Sequence, residues 1–280
     1  MEKTFLEGYL TIPHDYHLHT RFSCDSQASM KEMCRAAIAK GVPEIGFSEH
    51  YDLHPRESCR DYLKVDEWWA ELERCRAAFA GQLTVRAGIE LGEPHLFAAE
   101  CRAILDRYPF DYCLGSLHWV GDFTVFHREF FESQPAEPGY RRFFAELEQM
   151  THVGGFDILS HFDVIVRHGA RFWGPYDPAR YEDVIRPVLE NCARNGIALD
   201  INSGAVRRYA AQLTPGPLVL RWFREMGGER VTLGSDAHRP EDVAGDLDVA
   251  LAAARQAGFC HVTQFERRVQ RLLPIAAGEQ

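Results

Sequence analysis

Two histidines separated by a single residue, in Asp15-Tyr16-His17-Leu18-His19-Thr20, are the first side chains along the sequence able to hold a metal ion together. Residues i and i+2 of an extended strand face the same side, so His17 and His19 can reach one ion. Alone, the pair reads equally well as a surface strand carrying two histidines. Further metal-competent residues decide between the two. Asp25 lies just behind the pair, and His50, Glu90, His118, His161, Asp236 and His238 each follow or end an apparent short strand. Six of the thirteen histidines belong to this set, which makes chance a poor explanation.

Nine candidate ligands exceed what one tetrahedral ion takes, since a catalytic zinc uses about three protein ligands and a water. Two or three divalent transition metal ions would use them all. Mixed imidazole and carboxylate donors suit zinc, iron or manganese better than magnesium or calcium, which prefer oxygen shells. Glu90, a carboxylate, can bridge two ions. Such clusters hydrolyse phosphate esters well: they lower the pKa of a shared water, hold phosphate oxygens and neutralise the leaving oxygen. Competing signatures are absent, with neither Gly-x-Ser-x-Gly nor a Walker-type Gly-Lys-Ser/Thr in the chain.

The elements that must position these residues follow from hydrophobic periodicity and from Gly and Pro punctuation. After an opening strand that ends at the histidine pair, strands are expected at 44–48, 83–91, 110–117, 156–160, 197–202 and 231–234. Helices are expected at Ser29–Lys40, from a cap at Asp66 to about Ala80, from Pro94 to about Asp106, and from Tyr140 to about His152. Others are expected from Pro178 to Asn195, from Pro217 to Met226 and from Glu241 to Ala257, with a helical C-terminal segment. Trp119–Gly139, rich in Phe and broken by Pro135 and Pro138, reads as an irregular active-site loop, and Arg167–Pro175 as another loop. Seven strands alternating with helices imply one α/β domain over residues 1–280 with a parallel sheet. A TIM-like barrel is expected, with a doubly wound open sheet as the alternative. In a barrel all strand C-termini share one face, so ligands spread over more than 200 positions would converge.

The chain of 280 residues is 46% hydrophobic and 26% charged, ordinary values for a globular protein, and its net charge is −10. That charge argues against coating long nucleic acids, but a metal cluster can still draw a small phosphorylated substrate. Eight cysteines, at 24, 34, 59, 75, 101, 113, 192 and 260, include no Cys-x-x-Cys pair and read mostly as buried free thiols. Met1-Glu2-Lys3-Thr4-Phe5 shows no signal peptide, and no run of ~18 apolar residues exists to cross a membrane. A reducing cytoplasm is the expected compartment.

Taken in order, His17-x-His19, Glu49-His50, Gly88-Ile89-Glu90, Gly115-Ser116-Leu117-His118, Ser160-His161-Phe162-Asp163 and Ser235-Asp236-Ala237-His238 resemble the polymerase and histidinol phosphatase (PHP) family, and especially its monofunctional histidinol-phosphatase branch. The resemblance runs from about residue 14 to 240. It implies a distorted seven-stranded (β/α) barrel and a trinuclear site. By position, one ion would take His17, His19, Glu90 and Asp236, and a second would share Glu90 and add His118 and His161. The third would take Asp25, His50 and His238, with Asp25 in Phe22-Ser23-Cys24-Asp25-Ser26 marking the branch. Arg167 resembles a phosphate-contacting arginine and Arg207 matches a substrate-binding one. The segment Asp200–Arg207 departs from the family's usual pattern at Asp200 and at Ser203-Gly204-Ala205, which puts substrate identity in question. The implied reaction is hydrolysis of L-histidinol phosphate, or of a nucleotide or another small phosphate ester. A hydroxide bridging two ions would attack phosphorus in line, Glu90 and Asp236 would fix the bridging pair, and His238 or a metal-bound water would protonate the leaving alkoxide.

Overall fold

The computed structural model describes residues 12–208 and 210–275; the Met1–Phe5 segment lies outside them. Strands β1 (Asp15–Leu18), β2 (Glu44–Tyr51), β3 (Thr84–Gly92) and β4 (Leu114–Ser116) lie side by side in that order. A small antiparallel pair, β5 (Trp119–Val120) and β6 (Phe123–Thr124), stands apart. The sheet continues through β7 (Ile158–Leu159), β8 (Ala198–Asn202) and β9 (Val231–Gly234), every pairing being parallel. A bridge between Leu18 and Ala237, with His19 N donating to the Ala237 carbonyl at 2.9 Å, brings the last strand back to the first. The result is a nearly closed seven-stranded barrel rather than the open sheet. Its strands are short and apolar on both faces, as parallel strands under covering helices must be; Ile45, Phe47, Ile89, Leu199, Ile201 and Leu233 are all fully buried.

The covering helices start and stop where local chemistry dictates. Helix α1 (Met30–Ala39) opens on a capping box, Ser29 receiving the Glu32 amide while Glu32 reaches back to the Ser29 amide. Helix α2 (Val65–Ala78) differs from expectation at its start: Asp66 lies in the first turn and pairs with Arg107 instead of capping. Helix α3 (Ala98–Arg107) begins four residues beyond Pro94. The 119–139 stretch is ordered beyond expectation, holding β5, β6, α4 (Arg128–Glu132) and the start of α5 (Ala136–Val153), whose first turn admits Pro138. Residues expected as the loop 167–175 form α6 (Val166–Trp173). Helix α7 (Glu182–Asn195) ends on Gly196 at φ 69°, α8 (Pro217–Glu225) starts on proline, and α9 (Leu247–Gln256) begins six residues later than expected.

The C-terminal segment is the largest correction. It is a β-hairpin, β10 (His261–Glu266) and β11 (Val269–Pro274), not a helix. Phe265 from β10 enters the bottom of the barrel and is buried with Tyr16, Tyr112, Leu114, Ile158 and Ala198. The Tyr112 ring passes so close to Gly46 and Gly88 that a Cβ at either position would collide with it. Strand β1 is irregular: Asp15 pairs with Ile45 but Leu18 with Phe47, three steps against two. An extra residue of this kind bends a strand and re-aims its side chains. Tyr16 thereby joins the plug while His17 and His19 both turn toward the opposite end.

Candidate metal centre

All nine ligand candidates meet at the C-terminal end of the barrel. Strand register does part of the positioning, since His50 on β2 pairs directly with Glu90 on β3. Glu90 is the hub. Its Oε2 lies 3.4 Å from the Nε2 of both His17 and His19 and 3.0 Å from His50 Nδ1. Its Oε1 lies 3.4 Å from His118 Nε2 and 3.0 Å from His161 Nε2. Asp236 Oδ1 closes the other side, 3.8 Å from His17 Nε2 and 3.5 Å from His19 Nε2. At the rim, Asp25 Oδ2 stands 2.9 Å from His238 Nε2 and 3.6 Å from His50 Nε2. The three ligand sets implied above are thus each brought together. Donor atoms within 4.8 Å of one another also form overlapping triads that cross those sets, among them His19, His50 and His238, and His50, Glu90 and His118.

The donor set fits a cation cluster on evidence internal to the fold. His17 Nε2, His19 Nε2, His50 Nδ1 and Glu90 Oε2 are buried atoms with no hydrogen-bond partner. Glu90 Oε2 and His50 Nδ1 are close, but they are not aligned for a hydrogen bond. A buried polar atom without a partner costs roughly 1–3 kcal/mol, so four converging ones mark a place built for something else to bind.

Charge in this dry volume is tightly balanced. Burial would raise the Glu90 carboxyl, but the charges of His17 and His50 and bonds from His118 and His161 hold it well below the usual range. Burial likewise works against Asp236, whose carboxyl Arg167 and His17 keep well below its ordinary value. Burial would lower His17 and His50, yet Glu90, with Asp236 and Asp25, lifts both well above theirs. Against the same burial, bonds to Asp52 and Glu90 push His118 up to about 10. Burial prevails at His161, at about 4, and at His19, lowered to about 3 by burial and by the charges of His50 and His238. Protons on the rings therefore offset the carboxylates, and binding a divalent cation would displace them.

Behind the ligands stand groups that spacing did not single out. Asp200, on β8, places Oδ2 2.9 Å from His17 Nδ1. Ser23 Oγ lies 3.1 Å from His19 Nδ1 and donates to Glu49 at 2.6 Å. Asp52 Oδ1 is 3.6 Å from His118 Nδ1, and Glu93 receives the amides of His118 and Trp119 at 2.6 and 2.9 Å. Such partners fix the ring orientation and tautomer of a metal-binding histidine. The available signal was a charged residue inside an otherwise apolar strand, as in Ala198-Leu199-Asp200-Ile201.

The cluster opens into a cleft of about 810 Å³ whose lining includes Asp52, Arg56, Glu57 and Trp119 together with four arginines, Arg167, Arg207, Arg208 and Arg239. Arg167 is buried on α6, its guanidinium on Asp236 and, at 3.1 Å, on Asn202 Oδ1. Arg207 reaches the cleft, but its guanidinium is committed elsewhere: to Asp246 at 2.9 Å, Asp242 at 3.4 Å and the carbonyls of Gly245 and Ser235. That arrangement braces the β9–α9 connection, so a substrate contact by Arg207 would compete with these partners. His54 stacks on Trp119, and His127 and His168 also line the cleft. His14 is buried against Tyr16, and His95 pairs with Glu146. The cysteine expectation fails at one pair: Cys24 and Cys59 form a disulfide in the cleft wall. Five of the others are buried free thiols and Cys260 is exposed. Among the described residues no helix is long and apolar enough to cross a membrane.

Relatives share this architecture over nearly the whole chain. A histidinol-phosphatase of Lactococcus lactis subsp. lactis is 28% identical over 254 residues, covering 90% of this chain and 93% of the relative. A probable histidinol-phosphatase of Deinococcus radiodurans is 29% identical over 262 residues, 91% of this chain and 98% of the relative. The crystal structure of the L. lactis histidinol phosphate phosphatase, complexed with zinc, L-histidinol and phosphate, superimposes with a TM-score of 0.82 at 25% identity, covering 92% of this chain and 98% of that one. A putative histidinol phosphatase from Listeria monocytogenes has the same fold, with a TM-score of 0.73 at 17% identity over 84% of this chain and 99% of that one. Residues 15–204 match the PHP domain, and the chain belongs to the PHP domain family.

Proposed function

We propose that this chain is a metal-dependent phosphomonoesterase that hydrolyses L-histidinol phosphate to L-histidinol and phosphate. The observation that carries the metal-dependent chemistry is the convergence of four buried donor atoms without partners on His17, His19, His50 and Glu90. The choice of substrate is supported by the likeness to the L. lactis enzyme crystallised with L-histidinol and phosphate. Two or three divalent ions, zinc, iron or manganese, would sit between Glu90, Asp236 and the six histidines, with Asp25 at the rim. When bound, such ions activate water and neutralise charge on phosphate.

The chain's own groups do the rest. Glu90 and Asp236, which both face the His17 and His19 rings, would hold ions there. Arg167, held on α6 beside Asp236, presents a guanidinium that can take phosphate oxygens bidentately. The Asp236 carbonyl, 3.0 Å from His238 Nδ1, fixes the proton on that nitrogen and leaves Nε2 facing Asp25. From there Nε2 can serve as a ligand or, when protonated, as donor to the leaving alkoxide. We also propose that the chain works as one domain on a small substrate in the cytoplasm, without long nucleic acids.

The test is phosphate release by metal-loaded protein from L-histidinol phosphate, from an aryl phosphate and from nucleoside monophosphates. A kcat/KM for histidinol phosphate well above the others is expected. Equal turnover of all three would remove the substrate assignment and leave a general phosphatase. A preference for the nucleotide would favour the alternative small ester.

A further inference from the structure

Cys24 and Cys59, 35 residues apart with Cα atoms 5.8 Å apart, join two segments of the cleft that lack regular structure. Both residues are half-buried and line the cleft. On one side of the bridge, Cys24 lies between Ser23, which holds His19 and Glu49, and Asp25. Asp25 is the least enclosed of the nine candidate ligands, its side chain 48% exposed, and its carboxylate is held by His238 and His50. On the other side, the Cys59 amide donates to Glu57 Oε1 at 3.1 Å, and Glu57 Oε2 receives Trp119 Nε1 at 3.0 Å. The bridge thus fastens the segment carrying Asp25 to the segment carrying Glu57 in the cleft lining.

We propose that Cys24 and Cys59 form a reversible dithiol–disulfide modification site, whose oxidised state holds Asp25 against His50 and His238 and strengthens cation binding at that rim position. This rests on the reading of those three residues as ligands. In the oxidation each thiol gives up one proton and one electron, and one S–S bond forms. Hydrogen peroxide accepts the two electrons and two protons, breaks its O–O bond and leaves as two waters. A small dithiol reverses the change and ends as its own disulfide. Reduction frees the 19–29 segment from its covalent anchor, and the rim position loses the partner that fixed its carboxylate.

The test uses the full chain in a Cys260→Ser background, which removes the exposed thiol. After peroxide, alkylation of the native protein should leave Cys24 and Cys59 unmodified; after a small dithiol, both should be labelled. A competing chromophoric chelator then reads zinc affinity in each state. Loss of a supporting partner costs a metal site roughly 10–100-fold, so the weakest-bound ion should bind about tenfold less tightly on reduction and recover with peroxide. The double variant Cys24→Ser/Cys59→Ser should match the reduced protein under either reagent. Both cysteines remaining labelled after peroxide would overturn the proposal. So would equal affinities in the two states, or tighter binding in the reduced one. His238→Ala separates this from the ligand reading: it should lose the same ion. Unchanged binding in that variant would refute the ligand set, whereas loss there with redox-insensitive affinity would refute only the coupling.

Discussion

Asp200 Oδ2 lies 2.9 Å from His17 Nδ1, a contact that spans 183 residues of sequence and fixes one ring of the cluster. Asn202 Nδ2 donates to the same oxygen at 3.0 Å, so the carboxylate is itself held. Substituting Asp200→Ala should weaken metal binding by roughly 10–100-fold while leaving the fold intact, because the ring loses its orienting partner. Chelator competition, with circular dichroism as the check on folding, measures this. Unchanged affinity would mean the pair is only structural.

Glu90 contacts five histidine rings between 3.0 and 3.4 Å, more than any other candidate ligand. Glu90→Gln keeps the shape and removes the charge. It should lower kcat/KM by more than the ~100-fold upper range for a supporting residue, since Glu90 is expected to touch the ions directly. Steady-state phosphate release reports it.

The two arginines should separate cleanly. Arg167→Lys should lower kcat/KM roughly 10–100-fold, mainly through KM, since a charge-assisted hydrogen bond contributes about 1.5–3 kcal/mol and lysine has no planar fork. Arg207→Ala should change KM much less and instead lower the melting temperature, as it unties Asp242, Gly245 and Asp246. The opposite ordering would return Arg207 to the substrate-binding role that its position in the sequence suggests.

At the other end of the barrel, Phe265→Ala should cost ~3–5 kcal/mol of stability, the usual range for truncating a buried Phe. The cluster of Tyr16, Tyr112, Leu114, Ile158 and Ala198 would lose its plug. Denaturant midpoints measure the loss, and metal affinity should be spared.

His14 gives the acid limb of stability a definite sign. Burial lowers it from 6.5 to about 3, and its Nε2 receives the Leu233 amide at 3.2 Å, so the folded chain keeps the ring neutral. Its folded value is depressed, so the unfolded chain takes up a proton first as pH falls. The contribution of His14 is complete above about 6.5 and lost progressively toward pH 3. His14→Gln should flatten the pH dependence of the melting temperature in that window. An unchanged slope would contradict it.

What could be read from the sequence was what repeats locally. Six strand ends with metal-competent residues were visible because each follows a short apolar run, and the parallel barrel follows from the alternation of seven strands with helices. What depends on distant partners was not. Asp200 stands out in the sequence only as a departure from the family's usual pattern, because nothing local shows that it faces His17. The hairpin at 261–274 was missed because its turn uses Arg267 and Arg268 at φ 49° and 62° in place of the Asn-Gly or Asp-Gly that signals such a turn. Helix α6 was masked by Gly169 in its interior, which packs beneath the Tyr140 hydroxyl where a side chain would collide. Cys24 and Cys59 carry no spacing motif, and only the fold brings them together.

The dependence of phosphate ester hydrolysis on ions held by the side chains around Glu90 can be followed in one titration. It is tested most directly by stripping the protein with chelator, titrating zinc or manganese back, and following bound ions and phosphate release from L-histidinol phosphate in the same sample. Stripped protein should release no phosphate, and release should rise with the second or third ion bound; Glu90→Gln and Asp236→Ala should bind fewer ions and stay inactive. Full hydrolysis by the stripped protein, or undiminished ion binding in both variants, would contradict it.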